Sequence, residues 1–398
     1  MQYTFAKTTM NIDILSENVF LCSHCKCFMV IYQCLIFNME VNVNKKLVAV
    51  IFGGFSPEYV VSLKSAYSVI KAINQDKYDI MMIGITNKGQ WYRYTGSVED
   101  IPNDLWHKDE QNLCKAFISP NRGGGMLVFE DGVPVTVAID IVFPVLHGRY
   151  GEDGTVQGLC ELSGIPCVGS GSASSALCMD KDRAHKVVSL EGISVPKSIS
   201  YEHTPTDEDL LTAVQSLKLP VFVKPVKAGS SIGISKLDNY EDIPAAVNEA
   251  FKFDNAIIIE EAISGKEVGC SVIGNNELKT GRANEIEVSH GFFDYKEKYT
   301  LETSQIHTPA RIDAISEQKI LETGKKVYRA LGCRGYARID MFLKDDGEVV
   351  FLEANTIPGF TAHSQLPKMM KAAGMDYPEL VDTLLELGLQ IDRGEWYG

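Results

Sequence analysis

Residues 47–52 read LVAVIF, six apolar side chains with no polar interruption. A strand with one face in water alternates apolar and polar residues. An unbroken short run instead fits a strand buried on both faces, inside a helix-covered parallel sheet. Gly53-Gly54 and a polar loop follow, and apolar residues then recur at helical spacing over 61–73. Residues 80–85 and 140–146 repeat the strand pattern, and 156–162 the helical one. This alternation predicts an α/β region with an open, largely parallel sheet, whose ligand sits beyond the strand C-termini.

Further on, a helix is expected over 174–190, strands over 195–200 and 220–224, a helix over 242–251 and a strand over 256–263. Strands over 268–273, 336–343 and 349–355 and a helix over 315–331 come next, and helices from 364 and 377 close the chain. KDDGE at 344–348 marks a hairpin turn, since Asp and Gly tolerate the backbone angles of a tight reversal. The expected division is an α/β domain over 39–170, a central subdomain over 171–260 and a C-terminal subdomain over 261–398. Residues 1–38 read as an extension, disordered or not translated, because the chain turns polar at Met39 (MEVNVNKK) before its first strand.

Composition narrows the function classes. Hydrophobic residues at 45% and charged residues at 23% exclude an intrinsically disordered chain. Lys plus Arg is 38 against 52 Asp plus Glu, and the net charge of −14 gives no overall field for nucleic acid or anionic lipid. The longest apolar run, FMVIYQCLIF at 28–37, is broken by Gln33, falls short of a bilayer span and lacks a small-residue cleavage site. A cytoplasmic protein without nucleic-acid or membrane partners is expected, although basic side chains in a cleft can still hold a nucleotide. Four of the ten cysteines (Cys22, Cys25, Cys27, Cys34) lie in the extension, and the other six sit singly in apolar segments, as small buried hydrophobes do. Cys22, His24, Cys25 and Cys27 have zinc-binding chemistry, but no second ligand pair follows, so the extension reading is preferred.

Four constellations carry chemistry. In the hairpin, Arg338 and Asp340 share one strand face, as do Glu353 and Asn355, because residues two apart point the same way. Two carboxylates and an amide oxygen are hard donors suited to Mg²⁺; the alternative is a salt-bridged strand pair in which Arg338 neutralises them. Lys224 ends an apolar strand and precedes AGSSIG at 228–233, where glycines let backbone N–H groups crowd an anion. HGRYGEDG at 147–154 crowds polar groups after a buried strand, where an α/β sheet places its ligand. GGFSPE at 53–58 opens a helix, and Glu58 there either holds an ammonium group or complements the helix dipole.

Together these stretches resemble the D-alanine–D-alanine ligases of the ATP-grasp superfamily, most strongly the branch that includes the D-alanine–D-serine ligases of vancomycin resistance. The likeness runs from Lys46 to about Leu389 through GGFSPEYVVSL (53–63), HGRYGEDGTVQG (147–158), ALCMDK (176–181), residues 224–233 and 260–269, FFDYKEKY (292–299) and residues 337–361. It implies that the α/β domain is followed by two α+β subdomains of an ATP-grasp fold. It also implies ATP-dependent joining of two D-alanines through an acyl phosphate for peptidoglycan precursor synthesis, with D-serine as the alternative second substrate, in a homodimer. By resemblance, Asp340, Glu353 and Asn355 hold two Mg²⁺ ions, for which Mn²⁺ can substitute. Lys181, Lys224 and Ser231 meet the ATP phosphates; Glu260, Glu261 and Ile263 lie along the adenine and Glu267 at the ribose. Glu58, linked to Ser230 and Tyr299 with His147 nearby, anchors the first D-alanine. Arg338 and the Gly359 N–H stabilise the oxyanion, and Lys298 and Tyr299 belong to a closing loop. Ser364 binds the second substrate's carboxylate, and Gln365-Leu366 replace the Arg-Tyr of many resistance ligases, which implies a less polar corner that prefers D-alanine. A non-catalytic ATP-binding regulator would be expected to lose a metal ligand or Arg338, and a carboxylase subunit leaves Glu58, His147 and FFDYKEKY unexplained.

Overall fold

The computed structural model describes residues 45–229, 232–288 and 304–390, so the expected extension over 1–38 lies outside it. A seven-stranded sheet contains β1 (Lys46–Gly53), β2 (Tyr78–Ile85), β3 (Trp91–Tyr94), β4 (Leu113–Ile118), β5 (Met126–Glu130), β6 (Val133–Val137) and β7 (Ile141–Val145), in spatial order β6-β5-β4-β3-β2-β1-β7. Val48, Val50 and Phe52 enter one hydrophobic cluster and Ala49 and Ile51 another, so β1 is buried on both faces. Only β2-β1-β7 is parallel; β2 to β6 form an antiparallel meander. Sequence periodicity misses β3 to β6 because these strands are four to six residues long and β6 is exposed along most of its length.

Helix α1 (Tyr59–Ala72) follows β1, and α2 (Thr155–Ser163) follows β7. The single helix expected over 174–190 is two helices, α3 (Ser172–Met179) and α4 (Lys181–Leu190). Asp180 leaves helical geometry and its carboxylate accepts from the Arg183 N–H, so it caps α4 and sets Lys181 at the helix start.

The second sheet has β8 (Ser198–Tyr201), β9 (Val221–Pro225), β10 (Ser235–Leu237) and β11 (Ile257–Glu261) in the antiparallel order β10-β9-β11-β8. Helices α5 (Asp207–Val214) and α6 (Ile243–Ala250) share its core through Leu210, Val214 and Val247. The third sheet has β12 (Lys266–Ile273), β13 (Lys279–Thr280), β14 (Asn284–Val288), β15 (Ser304–His307), β16 (Tyr336–Leu343) and β17 (Val349–Asn355), in order β15-β14-β12-β16-β17 with β13 beside β12. Helix α7 (Ala314–Ala330) packs on it, and α8 (Gln365–Ala372) and α9 (Tyr377–Leu389) end the described chain. Leu380 and Leu384 of α9 join Val48 and Phe143 in one core, each such burial contributing about 1.5–3 kcal/mol. Among the described residues no helix is long and apolar enough to cross a membrane.

Candidate active site

The β1–α1 turn is fixed by its backbone. Gly53 has φ +87°, and a Cβ there would lie 2.0 Å from the Ile85 carbonyl oxygen, so only glycine fits. Its N–H donates to Ser62 Oγ at 2.7 Å, and Ser62 in turn donates to the Val145 carbonyl, tying α1 to the ends of β1 and β7. This aims Glu58 at a cleft lined also by Gly148, Glu152, Lys181, Glu353 and Asn355. A Cβ at Gly148 would stand 2.4 Å from Glu58 Oε2, which explains the glycine after His147.

His147 is buried and both ring nitrogens are engaged by the protein. Nδ1 is 2.8 Å from the Ile357 carbonyl, which can only accept, so Nδ1 carries the proton; Nε2, 3.1 Å from Ser65 Oγ, then accepts. Burial lowers its pKa and favours this neutral form. Ser65 Oγ also takes the Phe360 N–H, so His147 clamps the 357–360 loop that carries Gly359. Glu152 grips the same loop, accepting from the N–H groups of Gly148 (2.9 Å) and Ile357 (3.4 Å). Burial, with the Glu58 charge nearby, pushes its carboxyl up to about 8.

The hairpin brings the expected oxygen donors together. Arg338 faces Asn355 and Asp340 faces Glu353 across the β16–β17 ladder. Arg338 chelates Asp340 at 2.8 and 2.7 Å, and Asn355 Nδ2 donates to the same carboxylate at 2.9 Å. Burial opposes the guanidinium charge, yet Asp340 overcomes it and holds Arg338 protonated. The salt-bridged arrangement is thus realised at Asp340, while Glu353 lines the cleft 3.7 Å from Lys181 Nζ. Among the described residues no three His, Cys, Asp or Glu side chains converge on a cation. A Mg²⁺ site shared with phosphates does not need them, since one or two carboxylates suffice. Two carboxylates and an amide oxygen on paired strands fit such a cation.

Lys224, on β9, is buried and 2.5 Å from Glu260 Oε2 of the neighbouring β11. Burial alone would raise the Glu260 carboxyl, but Lys224 and His185 overcome it and hold it below the usual range. Lys181 donates to the Ala228 carbonyl at 3.0 Å, reaching the start of the Gly/Ser turn. Glu261 accepts from the Lys218 N–H at 3.0 Å, Ile263 is half-buried in the following segment, and Glu267 lies half-buried on β12. Ser230, Ser231, Lys298 and Tyr299 lie outside the described residues.

Beyond Gly359, Ser364 Oγ accepts from the Thr361 N–H at 3.0 Å and would be 3.4 Å from a Cβ at Gly359. Gln365 Oε1 accepts from the buried Asn284 amide at 2.8 Å. Leu366 corrects the sequence reading. It is fully buried in the core with Phe360 and Met370 and is not a lining residue of the corner, because α8 turns its first-turn apolar face inward. Sequence motifs also give no role to His185 or Glu152; His185 stands among the charged residues of α4 with no local signal, and Glu152 is marked only by motif membership.

Comparison with known proteins matches residues 47–170 to the family described as D-ala D-ala ligase N-terminus and residues 190–386 to D-ala D-ala ligase C-terminus. D-alanine–D-alanine ligase B of Clostridium tetani is 41% identical, over 88% of this chain and 95% of that protein. The vancomycin B-type resistance protein VanB of Enterococcus faecalis is 44% identical, over 87% and 99%. The solved structure of the VanG D-Ala:D-Ser ligase from Enterococcus faecalis superposes with a TM-score of 0.81 at 52% identity, covering 86% of this chain and 99% of its own.

Proposed function

The chain belongs to the D-alanine–D-alanine ligase family of ATP-dependent ligases with the ATP-grasp fold, and on that premise we propose that it joins D-alanine to a second D-alanine for peptidoglycan precursor synthesis in the cytoplasm. The observation that carries the reading is the meeting, in one cleft, of Glu58, Lys181, Glu353 and Asn355 from three separate parts of the chain. Glu58 binds the ammonium of the first D-alanine, with Ser230 and Tyr299 completing that end. The carboxylate of that D-alanine attacks the ATP γ-phosphorus, forming a carboxyl–phosphate bond and releasing ADP. Lys181 and Lys224 neutralise the phosphates, with Ser231 and Lys298 as further phosphate-binding groups. The backbone beside Glu260, Glu261 and Ile263 reads adenine, and Glu267 the ribose.

Asp340, Glu353 and Asn355 would hold Mg²⁺ ions, or Mn²⁺ in their place, which supply charge neutralisation for the transferring phosphoryl group. The free amine of the second amino acid then attacks the acyl carbon; the oxyanion that forms is met by Arg338 and the Gly359 N–H, and phosphate leaves as the amide forms. His147 and Glu152 position the loop that presents Gly359, and Ser364 takes the acceptor carboxylate.

A second reading, D-serine as acceptor with a role in vancomycin resistance, is favoured by the 52% identity to a D-Ala:D-Ser ligase. Gln365 is the one neutral polar side chain left from the sequence-based pair at that corner. Its amide oxygen is already taken by Asn284, which supports D-alanine as the preferred acceptor and D-serine as a slower one. The test is kcat/KM for D-alanine and D-serine as acceptors with ATP and Mg²⁺. A preference for D-serine beyond about 10² requires a site built to bond the hydroxyl and overturns the D-alanine reading. Sedimentation of the full chain tests the homodimer that the resemblance implies.

A further inference from the structure

His185 lies one turn after Lys181 on α4, so the two side chains share a helix face. It is 3% exposed, with its ring edge-on to Phe351 at 5.7 Å between centroids. Its Nε2 is 2.8 Å from the Leu352 carbonyl, and because a carbonyl only accepts, Nε2 carries a proton. Leu352 is the residue that the strand irregularity leaves over: Asp340 faces Glu353, and the next residue, Met341, faces Phe351. The bulge frees that carbonyl from the ladder, and His185 takes it. On the other side of the ring, Nδ1 is 3.7 Å from Glu260 Oε1, an ion-pair distance and not a hydrogen bond, and neither atom has a hydrogen-bond partner in the structure; Nδ1 donates toward the carboxylate when the ring is doubly protonated. Glu260's second oxygen holds Lys224.

We propose that His185 is a positioning residue that ties the Lys224–Glu260 strand pair of the second sheet to the bulged strand carrying Glu353 and Asn355. The proposal rests on the reading that Lys224 and Glu353 meet the same nucleotide. No backbone ladder joins the second and third sheets among the described strands; one bridge, Ser194 to Val350, ties the segment ahead of β8 to β17, and side chains complete how these two groups face each other. Helix α4 does so at both ends of one turn: Lys181 reaches the Ala228 carbonyl and Glu353, and His185 reaches Leu352 and Glu260.

Two substitutions in the full-length chain separate the two ends of the ring. A glutamine amide nitrogen reaches where Nε2 stands and retains the donor to Leu352; an asparagine amide nitrogen retains only the donor toward Glu260. Calorimetry with ADP, with and without Mg²⁺, is the readout, alongside melting temperature. His185→Gln is expected to weaken ADP binding about tenfold in both conditions, in the range found for residues that orient ligating groups. His185→Asn should leave metal-free ADP binding near wild type and cut its enhancement by Mg²⁺ by about tenfold. Glu260→Gln should reproduce the His185→Gln effect, and the double variant His185→Gln/Glu260→Gln should lose less than the sum of the two. Wild-type ADP and Mg²⁺ binding in both His185 variants with only a lowered melting temperature, or strict additivity in the double variant, would overturn the proposal. ADP binding needs no amino acid, so a failure to ligate D-alanine is read separately from a failure of this pattern.

Discussion

The β16–β17 hairpin lines the cleft and the corner from Gly359 to Leu366 follows it in the chain, yet their side chains are held in different ways. In the hairpin, Arg338, Asp340, Glu353 and Asn355 project from a strand pair backed by Ile339, Met341, Phe351 and Ala354 of the core. Strand period fixes which residues converge, and a change of one side chain leaves the frame in place. At the corner, Ser364 and Gln365 begin a helix whose next residue is a core anchor, so the proposed acceptor contacts and the packing are interleaved one residue apart. Substitutions in the hairpin should therefore act on chemistry, and those in the corner on stability as much as on specificity.

The largest effect is expected in the hairpin. Glu353→Gln keeps the shape but removes a negative charge from the phosphate side, and should lower kcat by roughly 10²- to 10³-fold with an unchanged melting temperature. A variant with normal turnover at saturating Mg²⁺ would show the catalytic carboxylates to be elsewhere. Lys224→Ala should raise KM for ATP far more than KM for D-alanine. It also leaves Glu260 buried without its lysine, a loss of about 3–5 kcal/mol of stability measurable in urea. The reverse order of KM effects would place Lys224 with the amino acid.

Leu366→Ala sharpens the comparison from the other side. Emptying this fully buried position should cost about 2–5 kcal/mol while the ratio of D-alanine to D-serine use stays unchanged. A changed ratio in a folded variant would return Leu366 to the acceptor pocket. A smaller effect concerns Glu152, whose carboxyl rises from an ordinary 4.5 to about 8 in the folded protein. Because the folded value is the higher one, its contribution to stability is fully present below about pH 4.5 and is lost as pH rises through about 8. Glu152→Gln should flatten the fall in unfolding free energy over that window. An identical slope in both proteins would contradict the assignment.

The same contrast shows what the sequence makes legible. The parallel strands β2-β1-β7 and the convergence of Asp340 with Glu353 follow from unbroken apolar runs and from period two, both of which are local patterns. The antiparallel meander from β3 to β6 does not, since short exposed strands carry little periodic signal. The break at Asp180 was hidden because apolar spacing continues across it, and only the cap bond to Arg183 reveals it. Leu366 was misread because adjacency to Ser364 in sequence says nothing about which way a helix start faces. His147 reads as a site residue from its motif, but its two ring bonds to Ile357 and Ser65 are long-range contacts that no spacing encodes.

The central claim, that a carboxylate takes the γ-phosphoryl group before the amide forms, has a direct isotopic test. D-alanine labelled with ¹⁸O in both carboxylate oxygens is incubated with the protein, ATP and Mg²⁺, and the inorganic phosphate is analysed by mass spectrometry. An acyl-phosphate route moves one carboxylate oxygen into each phosphate released alongside ADP and dipeptide. Unlabelled phosphate, or phosphate release that does not depend on D-alanine, would contradict the account.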